Sequence, residues 1–420
     1  MRVGAALGLS VEPERHFRIT RIFPEGLLDP WRFSAPGPAA RRAPGDAAAA
    51  VAAAKTLGEA PAGAVPGFGD LLDALAESYS PDDSAYTPYT ALVLDALAAG
   101  VDPFSLARQA DEFLDLGASR RASSSSDRAE RQPFGARDHG AAVRCAALGL
   151  ALKGADDREL VAAVDTWALF THPEDDGRDG ALAVAAAVAW LAAAEGPEAA
   201  TPEQLLERLA EVVASDSMRS KLQLLQRGLA AAGQLPVVAS PPPLRRSSSS
   251  SSTTSTSSSS SGGGGSALGG SGAADEGVRV VGSWREFWLS EEWGRMVQIH
   301  SSLTDRGFAT LGTQAVAVAL WALVTNWRRP EQAVIIAASL GGSSSTTAYL
   351  TGALAGALHG SGWIPERWWE ALGDSEAGRA IRDGALEAGL KLEGLSSGGG
   401  GEDGAGADEA GGEAAEGEQQ

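Results

Sequence analysis

The sequence predicts an all-α protein built as a single domain, and three observations carry that prediction. Alanine-rich stretches with helical spacing dominate the chain. Runs of β-branched residues are few. Helix-start signals are explicit, above all Thr201-Pro-Glu-Gln204, a capping box with proline at the first helical position. With 420 residues the chain has room for two domains, but so much of it is of low complexity that one domain of about 300 residues is expected.

From the N-terminus, Gly4-Ala-Ala-Leu-Gly8-Leu-Ser-Val-Glu12 reads as a small-residue turn of helix with a carboxylate four residues past the second glycine. Residues 36–66, rich in Ala, Pro and Gly, read as a loop insertion. Leu71, Leu72, Leu75 and Ala76 mark one helix face, and Leu92, Val93, Leu94 and Leu97 continue a second helical pattern. Between them, Asp82 and Asp83 are adjacent carboxylates that suit either helix capping or a hard cation such as Mg²⁺.

Residues 118–131 form a Ser/Arg-rich surface insertion. Asp138-His139-Gly140 then reads as a loop entering a buried helix that contains Arg144 and Cys145. His172 is placed at the end of a helix, where a ring can meet the last carbonyls. An acidic turn, Glu174–Asp179, and an apolar alanine helix, Ala181–Ala194, come after it. The capping box opens an amphipathic helix towards Gly233. Pro241–Gly272 is a Pro, Ser/Thr and Gly tract with almost nothing to bury. Order resumes with a Trp-rich helix, Trp284–Ile299, and an apolar one over Leu311–Trp327. The domain is thus expected in two parts, 1–235 and 280–392, around a disordered insertion at 236–279 and before a disordered tail at 393–420.

The stretch Leu340–Gly362 combines a glycine pair, Gly341 and Gly342, five hydroxyl residues from Ser343 to Thr347, and a new helix. The hydroxyls suit an N-cap, and the loop before them sets free N–H groups at the positive end of a helix dipole. Gly352, Gly356 and Gly360 recur every four residues, which predicts a neighbouring helix lying close against that face.

Composition excludes several classes. A formal net charge of −20 argues against a surface that grips nucleic acid through its phosphates. Seven of the acids, from Glu402 to Glu418, sit in the Gly/Ala tail and inflate that charge without describing the fold. The single cysteine, Cys145, rules out an intrachain disulfide framework and a multi-cysteine zinc site. No stretch of 18 apolar residues appears and the N-terminus lacks a charged-then-apolar presequence, so a cytoplasmic, monomeric protein without membrane contact is expected. There is no Walker loop, Gly-x-Ser-x-Gly elbow, zinc-ligand spacing or dinucleotide fingerprint.

Taken in order, the pieces resemble the ADP-ribosylglycohydrolase family, all-helical hydrolases that use two magnesium ions. The resemblance spans most of the ordered chain and is densest at 312–372, through GTQAVAVALWAL, LGGSSSTTAYLTGALAGALHG and IPERWWEAL. Gly4–Glu12 is similar to the family's Gly-Asp-x-x-Gly turn, Tyr79–Ser84 to its Asp-Asp-Thr motif, and Asp138–Arg144 to its Gly-Asn-Gly-x-x-x-Arg ribose loop. His172 matches a histidine before a later helix. The resemblance implies a compact orthogonal helical domain and cleavage of the glycosidic bond of ADP-ribose. It also implies metal ligands at Asp82, Asp83 and Thr346, and a general base at Glu12 or Asp83. Asp138, His139, Gly140, His172, Gly341, Gly342, Ser343, Ser344 and Ser345 would line the substrate site.

The departures are specific. In the family's Gly-Gly-Asp-x-Asp-Thr signature the two aspartates bind metal, and here those positions are Ser343 and Ser345. The hydroxyl residue before the early Asp pair is Pro81, the early aspartate is Ala5, and the ribose-loop asparagine is His139, while Glu12 is kept. Two Mg²⁺ ions bring four positive charges against the three negative ones of Glu12, Asp82 and Asp83, and serine adds none. The resemblance therefore implies a protein that binds ADP-ribose or an ADP-ribosylated protein, with at most one Mg²⁺ and weakened or lost hydrolysis. An active Mg²⁺-dependent hydrolase and a scaffold with an empty cleft are the alternatives.

Overall fold

In a computed structural model of the chain, the described residues are 45–60, 65–79, 88–101, 137–168, 170–172, 174–232, 235–238, 279–304, 308–340, 342–373 and 376–397. Within them the protein is all-α apart from one pair of two-residue strands. The helices are α1 (Gly45–Glu59), α2 (Phe68–Ser78), α3 (Pro88–Ala98), α4 (Gly140–Ala151), α5 (Asp157–Ala168), α6 (Asp175–Ala193), α7 (Pro202–Val212) and α8 (Asp216–Ala232). They continue after the strands as α9 (Trp284–Trp288), α10 (Glu291–Leu303), α11 (Gly312–Val324), α12 (Pro330–Ser339), α13 (Ser344–His359), α14 (Glu366–Gly373) and α15 (Glu376–Ser397).

The centre is α11, whose thirteen residues are all buried. A helix that is apolar on every side needs neighbours on every side, and α6, α8, α12 and α13 supply them. Small residues set how closely these helices approach. A β-carbon on Gly149 of α4 would collide with the carbonyl of Ala185 in α6, and one on Gly180 of α6 would collide with the backbone of Gly312. The backbones of α4, α6 and α11 therefore touch almost directly. Beside this centre α7 is amphipathic, with Leu205, Leu206 and Leu209 buried and Glu207 between them exposed.

Local signals in the sequence start several helices as expected. Thr201 Oγ1 accepts from Gln204 N at 3.3 Å while Gln204 Oε1 accepts from Thr201 N at 3.0 Å, which completes the capping box. The face predicted from Leu71 and Leu75 is the buried face of α2. The stretch expected as one Trp-rich helix is broken in two at Leu289–Ser290, where the Ser290 hydroxyl accepts from Trp293 N at 3.2 Å and starts a new helix.

Several expectations are corrected. Residues 45–59, read as part of a loop insertion, form α1, which packs on α4 and α15. Its alanines have the highest helix propensity, and Ala49, Ala53 and Leu57 put one buried residue on each turn of the same face. Within the glycine row of α13, Gly356 does not mark a close helix contact, because a β-carbon there would meet nothing within 4 Å. Gly360 instead ends the helix at φ +70°, a conformation that disfavours other residues. Two edges also move. Val237 and Val238 pair in parallel with Val280 and Val281, inside and just past the expected insertion, and α15 runs to Ser397, into the expected tail. The rest of those two segments, and the insertion at 118–131, lie outside the described residues. No helix among the described residues is long and apolar enough to cross a membrane.

Candidate active site

Two segments that are far apart in sequence meet where α4 and α13 begin. His139 precedes α4 and Thr346 lies in the first turn of α13; His139 Nδ1 and Thr346 Oγ1 are 3.5 Å apart. The resemblance gave His139 to the substrate site and Thr346 to a metal, and the fold brings the two side chains together. Gly342 reaches the helix in the left-handed region at φ +65°, which its missing side chain permits. Ser343 occupies the N-cap position of α13, but its hydroxyl makes no capping bond. Ser344, Ser345 and Thr346 are buried in the first turn. Thr347, the last hydroxyl of the run, serves packing: it donates to the Ala337 carbonyl of α12 at 3.3 Å. Glu12, Asp82, Asp83 and Gly341 lie outside the described residues.

On the α4 side, Asp138 and His172 form a buried couple. Asp138 Oδ1 is 2.6 Å from His172 Nε2 and accepts from Gly140 N at 2.7 Å. The couple continues inward, since Thr171 Oγ1 lies 2.7 Å from His172 Nδ1 and accepts from the Arg144 guanidinium. A carboxylate only accepts, so His172 Nε2 carries a proton towards Asp138, while the Thr171 hydroxyl also donates to the Ala168 carbonyl at 3.4 Å. Arg144 also rests over the Phe170 ring, 5.4 Å from its centroid. Thus His172 does not cap a helix with its ring. It ties the turn after α5 to the loop before α4.

A second buried carboxylate, Asp176 in the first turn of α6, fixes the same loop from the other side. It pairs with Arg137 and accepts from Thr313 Oγ1 of α11 at 3.1 Å. Burial raises its pKa, but the Ser217 hydroxyl, Arg137 and Thr313 outweigh that and hold it below the usual carboxylate range. Lys221 of α8 donates to Ser217 Oγ at 3.0 Å and feels the charge of Asp176, while burial pulls its ammonium pKa down. Gly312 closes the assembly. A β-carbon there would lie 2.9 Å from the Asp176 carbonyl oxygen and 3.0 Å from that of Asp138. A backbone bridge between Asp138 and Leu311 joins the loop to the start of α11.

Sequence reading missed Arg137, Asp176, Thr313, Ser217 and Lys221. The acidic turn was visible, but nothing in it separates Asp176, which faces inward, from Asp175, which faces solvent. Only the helix phase set by packing does that. Cys145, fully buried, has its thiol pushed up to about 12, so it does not supply a nucleophile near neutral pH.

Mg²⁺ needs charged oxygen ligands, yet the described part of the signature offers the hydroxyls of Ser343, Ser345 and Thr346 beside an imidazole. Among the described residues no group of three or more His, Cys, Asp or Glu is placed to hold a metal ion. The carboxylates that the resemblance assigns to metal and base, Glu12, Asp82 and Asp83, lie outside the described residues.

The all-helical domain brings the loop before α4 against a glycine- and hydroxyl-rich helix start. The sequence model of the ADP-ribosylglycohydrolase family matches residues 2–396, and the chain belongs to that family. A solved structure described as an ADP-ribosylglycohydrolase-related protein complex is similar over 93% of this chain and 97% of its own, at 19% identity and a TM-score of 0.48. No curated protein matches the chain.

Proposed function

We propose that this family member binds ADP-ribose, free or attached to a protein, between the loop before α4 and the start of α13, with little or no glycosidic hydrolysis. The observation that carries the proposal is the replacement of acid by hydroxyl at the start of α13. Where the family signature has metal-binding aspartates, this chain has Ser343 and Ser345, beside Thr346, whose hydroxyl lies 3.5 Å from His139. Hydroxyls and the N–H groups of Gly341, Gly342 and the first turn can donate to a diphosphate without a metal, and the helix dipole favours the anion. Removing two like charges from the same point favours it further.

The other residues take roles that follow from their contacts. His139 meets the ribose beside Gly140, whose missing side chain lets the ligand approach. Asp138 and His172, engaged with each other inside the protein, hold that loop in place. Hydrolysis requires an activated water, and Glu12 or Asp83 is the base the family pattern leaves for it. Asp82, Asp83 and Thr346 are the ligands left for a single cation.

The test is calorimetric titration of ADP-ribose into the purified protein in Mg²⁺ and in EDTA, with Asp82→Ala as control. Equal binding in both conditions, insensitive to Asp82→Ala, is expected. Binding that needs Mg²⁺, or turnover of ADP-ribosylated protein that Asp82→Ala abolishes, would overturn the proposal in favour of an active hydrolase. No binding in either condition would leave only the fold.

A further inference from the structure

We infer that the helix bundle holds one bound water molecule in an internal site between His300 Nδ1 of α10 and Trp321 Nε1 of α11. This site is separate from the candidate active site, since Trp321 stands nine residues, roughly 13 Å of helix, past Gly312. It is also independent of the function proposed above.

Two polar atoms are stranded there. His300 is 1% exposed and Trp321 0%. Neither His300 Nδ1 nor Trp321 Nε1 has a hydrogen-bond partner among the described residues. Buried polar groups are otherwise almost always paired, with protein or with ordered water.

Packing sets the two side chains opposite each other. Thr325 Oγ1 lies 4.0 Å from Met296 Sδ. A β-carbon on Gly228 of α8 would lie 3.0 Å from Ile299 Cδ1 and 3.1 Å from Trp321 Cη2, so these two side chains meet at one point. Passing from Met296 to Ile299 along α10 thus means passing back from Thr325 to Trp321 along α11, and the two helices run antiparallel. His300 follows Met296 by four residues and Trp321 precedes Thr325 by four, each one turn along the same face. They therefore occupy facing positions. The six-membered edge of the Trp321 ring is held against Gly228 and Ile299, so the indole cannot turn its nitrogen elsewhere without a collision.

The chemistry of the two atoms selects the guest. An indole N–H only donates, and an imidazole nitrogen without its proton only accepts. Burial keeps His300 neutral, lowering its pKa from 6.5 to about 4. A molecule that touches both must accept from one and donate to the other. Water does so; an anion only accepts and is costly to bury, and an apolar guest does neither. Two polar partners are enough to hold a buried water, and a polar contact too long for a direct bond is the span a bridging water serves.

The experiment is nuclear magnetic resonance on the full chain labelled with ¹⁵N, joined to a crystal structure that shows ordered water. The Trp321 indole proton is assigned by its loss in Trp321→Phe. In wild type it should give a through-space peak to a long-lived water, and a long-range spectrum near neutral pH should find His300 Nδ1 unprotonated. His300→Leu removes the acceptor, and the water peak should be lost with it. The crystal structure should show a single water within about 3.2 Å of both nitrogens. No water peak in wild type, a peak that His300→Leu leaves at full strength, or a protonated Nδ1 overturns the inference. A direct bond between the two nitrogens, or a dry contact between the rings, overturns it as well. Should either variant fail to fold, the wild-type crystal structure decides alone.

Discussion

Gly312→Ala should destabilise the protein by about 3 kcal/mol, and the reason lies in three backbones meeting at one point. The added methyl would stand 2.9 Å from the Asp176 carbonyl oxygen, 3.0 Å from that of Asp138 and 3.2 Å from Gly177 Cα. Those are backbone atoms of α6 and of the loop before α4, so no side chain can rotate away. Overpacking typically costs about 1–3 kcal/mol, and the upper end applies where only main chain can yield. Gly312 has no special backbone angle to lose, so the clash alone sets the sign. Gly356→Ala in α13 is the control, since its β-carbon meets nothing within 4 Å. It should stabilise by about 0.5–1 kcal/mol through helix propensity. Urea denaturation followed by circular dichroism reads both changes as shifts of midpoint at constant slope. A Gly312→Ala protein as stable as wild type would refute the packing described at the start of α11. A Gly356→Ala protein less stable than wild type would refute the open surroundings of that glycine.

Other consequences can be checked with the same unfolding measurement. His300 is buried with Nδ1 unbonded among the described residues, and burial lowers its pKa from 6.5 to about 4. The unfolded chain takes up this proton near 6.5 and the folded one resists it, so stability is full above pH 6.5 and falls as pH drops through 4. The loss attributable to this residue is about 3 kcal/mol, and the difference between wild type and His300→Met over that window should show it; parallel curves would disprove it. Leu57→Ala should cost about 2–5 kcal/mol because Leu57 is 1% exposed in α1, whereas a loosely held insertion would lose nothing. Ser343→Asp combined with Ser345→Asp places two carboxylates in the first turn of α13 and should melt lower in EDTA. Mg²⁺ at about a hundredfold excess over its Kd should then return about 2–3 kcal/mol. The proposed function is in error if wild type gains as much from Mg²⁺ as the double variant.

Much of the architecture was legible because it is written in local periodicity. The buried face of α2, the capping box of α7 and the uninterrupted apolar run of α11 each need only a dozen neighbouring residues to be read. Family membership was legible because short motifs occur in a fixed order, and His139 and Thr346, named from different motifs, stand together. Reading failed where the same local pattern serves two ends. An Ala/Pro/Gly segment can be a loop or a helix, and only the face that α4 and α15 offer to Ala49, Ala53 and Leu57 decides for α1. A glycine every fourth residue can mark a close helix contact or nothing at all. The contacts that do need glycine are at Gly149, Gly180 and Gly312, where no spacing announces them.

By itself the sequence determined the helical class, the family, and the loss of two carboxylates from the late signature, since each is a statement about residue types in order. Tertiary structure alone decided which acids are buried and what they hold: Asp176 turns inward to Arg137 and Thr313, while Asp175 beside it faces solvent. It also decided that the Asp138 carboxylate sits on Gly140 N–H and His172. The reason is physical. A helix repeats every 3.6 residues, but its rotation about its own axis is fixed by what packs against it, and a carboxylate becomes a buried partner only where another element brings it a donor.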